Sequence, residues 1–319
     1  MVIGDIRQAG MDYAQRFLKA TEVLPEPITL ELFTPAGEAF LRQVAEALPN
    51  FSLEISLESH DPGVRRAFGK HYSNEAVERS IEAAFAMGCK RLDIYFMIGL
   101  PEQTRQSVRD TVDYCRELLE RYGRDGKLHP FISPLAPFLD PGSMAFEEPE
   151  QHGYRIFHHT LEEHRRALLQ PSWKYVLNYE TEWMTREDIV LSSYEASLEL
   201  NRLKARYGLM SPEEVAHAEE RTTKALKLIE LLDDLGEIDE NRLEELRPQM
   251  QEVNAIVARP RNDWELGLRL GKWGFLRKWS FLISQAWVAF RSELGAVIRG
   301  RRLAQPRAEG GVSVSGGQE

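Results

Sequence analysis

Between residues 28 and 135 the chain alternates two textures. ITLELF (28–33), FSLEISL (51–57), RLDIYFMI (91–98) and KLHPFISPL (127–135) are short runs rich in apolar and β-branched residues and read as strands. AGEAFLRQVAEAL (36–48), SNEAVERSIEAAFAMG (73–88) and TRQSVRDTVDYCRELLERYG (104–123) place apolar positions at helical spacing, with Ser73 as a cap and Gly88 as a stop. Strand and helix recurring at about thirty-residue intervals predict βα units and a parallel sheet.

After Pro149 the strand pattern stops. Residues 154–208 read as helical, interrupted by an irregular stretch, LLQPSWKYVLNYETEW, at 168–183. Ser211-Pro212-Glu213-Glu214 supplies a cap, a proline at the first helical position and a glutamate three after the cap. The helix that follows carries Val215, Thr222, Ala225, Ile229 and Leu232 in one seam. A partner with Leu243, Leu246, Met250, Val253 and Val257, kinked at Pro248, predicts an antiparallel helical hairpin.

Four of the six tryptophans fall in 262–302, where eight Lys and Arg face three acids. Such a basic, Trp-rich amphipathic stretch can lie on a membrane surface, or dock on a partner or on the protein itself. The tail from 303 is polar and glycine-rich, with the composition of a disordered segment. The expected organisation is an α/β unit at 1–145, a helical extension at 150–260, the basic segment at 262–302 and the tail at 303–319.

Composition narrows the function. With 43% hydrophobic residues among 319 the chain can build a real core, and its net charge of −10 argues against a general nucleic-acid binder. No signal peptide is visible in residues 1–20, and no apolar stretch reaches the roughly 20 residues a bilayer span needs. The two cysteines, Cys89 and Cys115, form neither a disulfide framework nor a zinc spacing. A cytoplasmic location fits, with peripheral contact at the inner membrane face through 262–302 as an open expectation.

In parallel βα folds the functional groups gather at the carboxyl ends of the strands. Those ends carry Glu31; Ser56, Glu58 and Ser59; Ile98, Gly99 and Pro101; and Ser133 and Pro134. Glu31 and Glu58 could accept bonds from an ammonium group or from ribose hydroxyls. Gly99 has no side chain, so a ring could approach its backbone. Pro134 withholds its N–H and leaves neighbouring carbonyls to an adenine-like edge. A polar ligand with a flat apolar part suits this set. Metal binding by His158, His159 and His164 with Glu162 and Glu163 is the lesser reading of what is also an ordinary polar helical face. No catalytic residue is assigned.

ITLELFTP, EISLESHD, AFGKHYS and YFMIGLPEQT, in that order, resemble the later strands of a radical S-adenosylmethionine (radical SAM) core, in particular the group with a cobalamin-binding domain before that core. The resemblance implies the second half of a partial (β/α) barrel, about four strands, followed by an all-helical extension. It also implies S-adenosylmethionine as cofactor, cleaved reductively to a carbon radical, with cobalamin as a further cofactor of the full-length protein. Carried over by position, Glu31 and Glu58 would bind the methionine amino group and ribose, Lys70 the methionine carboxylate, and Ile98, Gly99 and Pro134 would border the adenine. Glu102 stands where that motif usually has glycine.

The same resemblance calls for a 4Fe-4S cluster held by C-x3-C-x2-C, and no such loop occurs here. Counted by strands, residues 28–135 begin at the third unit of six. The favoured expectation is the downstream part of a radical SAM enzyme, inactive without a separate or missing N-terminal half that carries the cluster. The alternative is a non-catalytic nucleotide-binding or membrane-associated scaffold.

Overall fold

The computed structural model describes residues 1–235, apart from 25, 136, 137 and 171, together with Pro248. The second half of the expected hairpin, the basic segment 262–302 and the tail 303–319 lie outside the described residues.

Four parallel strands, β1 (Ile28–Leu32), β2 (Phe51–Glu58), β3 (Leu92–Ile98) and β4 (Leu128–Pro134), form a sheet in sequence order. Ten helices accompany them among the described residues: α1 (Met11–Thr21), α2 (Glu38–Ala47), α3 (Pro62–Ala67), α4 (Asn74–Ala86), α5 (Arg105–Tyr122), α6 (Met144–Glu147), α7 (Leu161–Ala167), α8 (Trp173–Val176), α9 (Arg186–Arg206) and α10 (Pro212–Leu235). The expected α/β architecture with a helical extension is present. Its caps are those the sequence supplies. Ser73 accepts the Ala76 N–H, Thr104 and Ser107 form a capping box on α5, and Ser211 and Glu214 form one on α10. α4 stops at Gly88, whose φ of 87° satisfies the left-handed turn.

One expectation is corrected. The stretch 154–208 is not wholly helical, because Tyr154–Ile156 (β5) and Tyr179–Thr181 (β6) pair as a short antiparallel ribbon. Its three-residue strands are too short to register as a period-two pattern.

Register explains how the sheet is used. Leu30, Leu53, Leu92 and Leu128 stand side by side across the four strands, and Leu32, Ile55, Ile94 and Pro130 form a parallel row. These rows pack with Leu41 and Val44 of α2, Val77 and Ile81 of α4, and Cys115 and Leu118 of α5. Burying such a face supplies roughly 25 cal/mol per Å² of apolar surface. Of the intervening rows, one is polar, with Glu31, Glu54, Asp93 and His129, and the next sets Ser56 beside the stacked rings of Tyr95 and Phe131. No helix among the described residues is long and apolar enough to cross a membrane.

The outer edge of β1 is engaged by the start of the chain. Val2 bridges Leu30 in parallel, with N–H to the Thr29 carbonyl at 2.8 Å. Asp5 then clasps the strand exit: its carboxylate accepts from the Phe33 N–H at 3.0 Å and from the Arg7 side chain, which in turn donates to the Thr34 and Pro35 carbonyls. Burial pushes the Asp5 carboxyl up, but these donors outweigh it and hold the group below its ordinary 3.8. A depressed carboxyl contributes stability above its unfolded value and loses it as pH falls through the folded one. Asp5→Asn is therefore expected to cost about 2 kcal/mol at neutral pH. In urea titrations across pH, the gap between wild type and variant should close below about 3.8; a gap independent of pH would refute the clasp.

Candidate functional site

The carboxyl end of β2 breaks strict alternation. The pairing of β2 with β3 shifts between Ser56 and Glu58, and Leu57 and Glu58, though consecutive, are both buried. Glu58 takes a φ of 67°, a conformation that costs a non-glycine residue of the order of 1 kcal/mol. Lys70 folds back to meet it: its Nζ lies 2.5 Å from Glu58 Oε1 and donates also to the Ser56 carbonyl. The side chains of Glu58 and Lys70 are 6% and 14% exposed, so the pair is largely removed from water. The second carboxylate oxygen, Oε2, is buried without a hydrogen-bond partner. A buried anionic oxygen left open is an acceptor for a ligand's ammonium or hydroxyl.

Arg65 organises the loop that returns Lys70. Fully buried, it donates to the carbonyls of Ser59, His60 and Tyr72 and to Asn74 Oδ1 at 2.7–3.2 Å, and its guanidinium lies 4.9 Å from the Tyr72 ring centroid. Burial lowers its pKa. Ser59, an expected ligand residue, is fully buried and serves this turn: its hydroxyl accepts the Asp61 N–H.

Glu31 stands apart from that cluster. Its Oε2 accepts the Gly4 N–H at 2.5 Å, and it lies in the polar row beside Glu54. Burial first, then the charges of Glu31 and Asp93, raise the Glu54 carboxyl, while Arg91 relieves Asp93 at 2.7 Å. Burial lowers His129 in the same row.

The β3–β4 rim gathers the remaining expected residues. Ile98 pairs with Pro134, and the Leu135 N–H reaches the Ile98 carbonyl at 2.8 Å. Gly99 has a φ of 94°, and its open side faces the Tyr179 ring of β6. Gln103, which sequence reasoning did not single out, pins this turn. Almost fully buried, its Oε1 accepts the Gly99 and Leu100 N–H groups and its Nε2 donates to the Met97 carbonyl. Glu102 adopts a φ of 63°, the conformation that glycine favours.

Neither cysteine is poised as a ligand. Both are buried and free, and burial pushes the Cys89 thiol up to about 11 and Cys115 further up. The histidine-rich run is occupied locally. Glu163 caps α7, Glu162 pairs with Arg165 and Arg166, and His164 contacts the Thr160 carbonyl and Asn178. Among the described residues no group of three His, Cys, Asp or Glu is placed to hold a metal ion.

Two experiments test this geometry. Lys70→Met leaves Glu58 buried and unpaired and should cost about 3 kcal/mol, with Glu58→Gln added to it restoring part of the loss. Additive losses in chemical denaturation would show that the pair is not coupled. Glu102→Gly, at an exposed position of positive φ, should stabilise by about 0.5–1 kcal/mol through relief of strain. A lower melting temperature would contradict the strained turn.

Residues 7–115 match the family model described as the Radical SAM superfamily. No curated protein matches the chain. Among solved structures, the radical S-adenosylmethionine methyltransferase TsrM from Kitasatospora setae, bound to cobalamin and a 4Fe-4S cluster, is 17% identical with a TM-score of 0.36. That match covers 48% of this chain and 32% of TsrM, so the chain spans about a third of that protein. Coproporphyrinogen III oxidase (HemN) from Escherichia coli, a radical SAM enzyme, is 14% identical with a TM-score of 0.34, over 79% of this chain and 75% of that one. Likenesses this distant carry nothing about activity; what they leave standing is that residues 7–115 are similar to the Radical SAM superfamily.

Proposed function

We propose that this chain supplies S-adenosylmethionine-binding groups to a radical SAM enzyme and does not itself hold the iron–sulfur cluster. The observation that carries the reading is the open, buried Oε2 of Glu58 beside Lys70, at a strand end inside the family segment. In this reading Glu58 takes the ammonium or ribose of S-adenosylmethionine, and Lys70, already within reach of one carboxylate, turns to the methionine carboxylate. Ser56 and Ser59 shape the strand end, and Ile98, Gly99 and Pro134 border the adenine. Glu31 joins only after releasing the Gly4 N–H. S-adenosylmethionine, when bound and reduced, supplies the radical chemistry; the chain's part is to position it and exclude water.

The cluster does not fit this chain. Three thiolates are needed, and the two thiols present are buried, held protonated and set in different elements. The proposal therefore places the cluster ligands on another polypeptide segment, with cobalamin as a further cofactor of the assembled enzyme, and gives the chain no radical activity alone. Anaerobic reconstitution with iron and sulfide should yield no stoichiometric cluster, and broad visible absorbance at one cluster per chain would refute this. Saturation-transfer NMR should detect S-adenosylmethionine bound weakly by the wild type and no longer bound by Glu58→Gln.

A further inference from the structure

The bare backbone at the end of β3 already has a flat ring against it. Tyr179 is fully buried. A Cβ built on Gly99 would stand 2.6 Å from its hydroxyl oxygen and 3.2–3.3 Å from two of its ring carbons. No side chain could be tolerated there, and no second ring could share the space.

The phenol is held on several sides. Tyr154 meets it edge-on at 5.5 Å and 82°, and Ile98 and Leu177 belong to the same apolar cluster. Next to it in sequence, the buried Asn178 accepts the Leu139 N–H at 2.8 Å and returns a bond to the Leu139 carbonyl. A planar ring with an apolar face and a polar edge is also a description of adenine.

The element that carries the ring is slight. The ribbon has three residue pairs, extended by bonds from Phe157 N–H to Asn178 O and from Glu182 N–H to Gly153 O. A two-stranded ribbon of this length has little stability of its own. Gly153, at its base, has a φ of 70° and lies against the ring of Trp183, which is 40% exposed. The ribbon is a two-stranded sheet of its own, with no strand pairing to the four-stranded sheet.

We propose that Tyr179 is a built-in occupant of the adenine end of the site. Its ring stands on Gly99 in place of a planar heteroaromatic ring, and the β5–β6 ribbon must swing away before the nucleoside can seat. The inference rests on the S-adenosylmethionine reading above and adds an autoinhibitory contact to it. Apparent affinity is then reduced by the fraction of molecules with the ribbon open.

The test uses the full chain and S-adenosylhomocysteine as the probe. Tyr179→Leu keeps apolar fill against Ile98 and Leu177 but removes the ring, and calorimetry should show binding about tenfold tighter than wild type. In the wild type, hydrogen exchange should show amides of 154–157 and 177–182 losing protection when the probe is added. Equal affinities, or a ribbon that gains protection, overturn the plug; if Glu58→Gln still abolishes binding in that case, the S-adenosylmethionine reading survives alone. No binding by wild type or Tyr179→Leu overturns both. Should Tyr179→Leu fail to fold, the exchange experiment on the wild type decides.

Discussion

A fully buried guanidinium sets the terms for the rest of this site. Left unpaired, the charge of Arg65 would cost several kcal/mol. Its acceptors lie on both sides of α3, at Ser59 and His60 before it and at Tyr72 and Asn74 after it. Satisfying one cation therefore forces residues 59–74 to close on themselves. The closure is continued by the Lys70 N–H, which donates to the Arg65 carbonyl at 2.8 Å. Lys70 is thereby delivered to the end of β2, where its ammonium meets Glu58. The contact between Lys70 and Glu58 is thus a consequence of where the arginine finds its oxygens.

The sheet adds a second constraint. Parallel sheets are usually covered on both faces. Here one face is apolar and packed by α2, α4 and α5, while the other carries Glu31, Glu54 and Asp93 abreast. Burial first, and then the neighbouring charges of Glu31 and Asp93, raise the Glu54 carboxyl pKa. Such a face is unsuited to apolar packing and suited to water or a polar ligand. The same alternation that builds the core thus reserves a polar lining.

The four strands, their order of appearance and most helix ends were legible in the sequence because they depend on local signals: period-two runs, capping residues and a stop glycine. Ser73 and Ser211 cap the helices expected of them. The rim residues Ile98, Gly99 and Pro134 do gather, since strand pairing alone brings them together. What escaped depends on distant partners. The Asp5 clasp spans 28 residues to Phe33, Asn178 reaches 39 residues to Leu139, and Tyr179 reaches Gly99 across two unrelated elements. No periodicity encodes such meetings. The polar row was half visible: Glu54 and Asp93 alternate with apolar neighbours, but their alignment with Glu31 required the register. Glu102 was the informative mismatch, because a position that asks for glycine retains its glycine-like backbone after the side chain has changed.

The irregularity at Ser56–Glu58 has a consequence for parity. In a regular strand, adding or removing one residue exchanges the two faces for everything downstream. The bulge absorbs one such step just before the strand ends, so Glu58 leaves the row of Glu54 and Ser56 and stands level with Phe96, beside the buried Leu57. A flaw in the weave is what allows an ion to stand at the end of an oily thread.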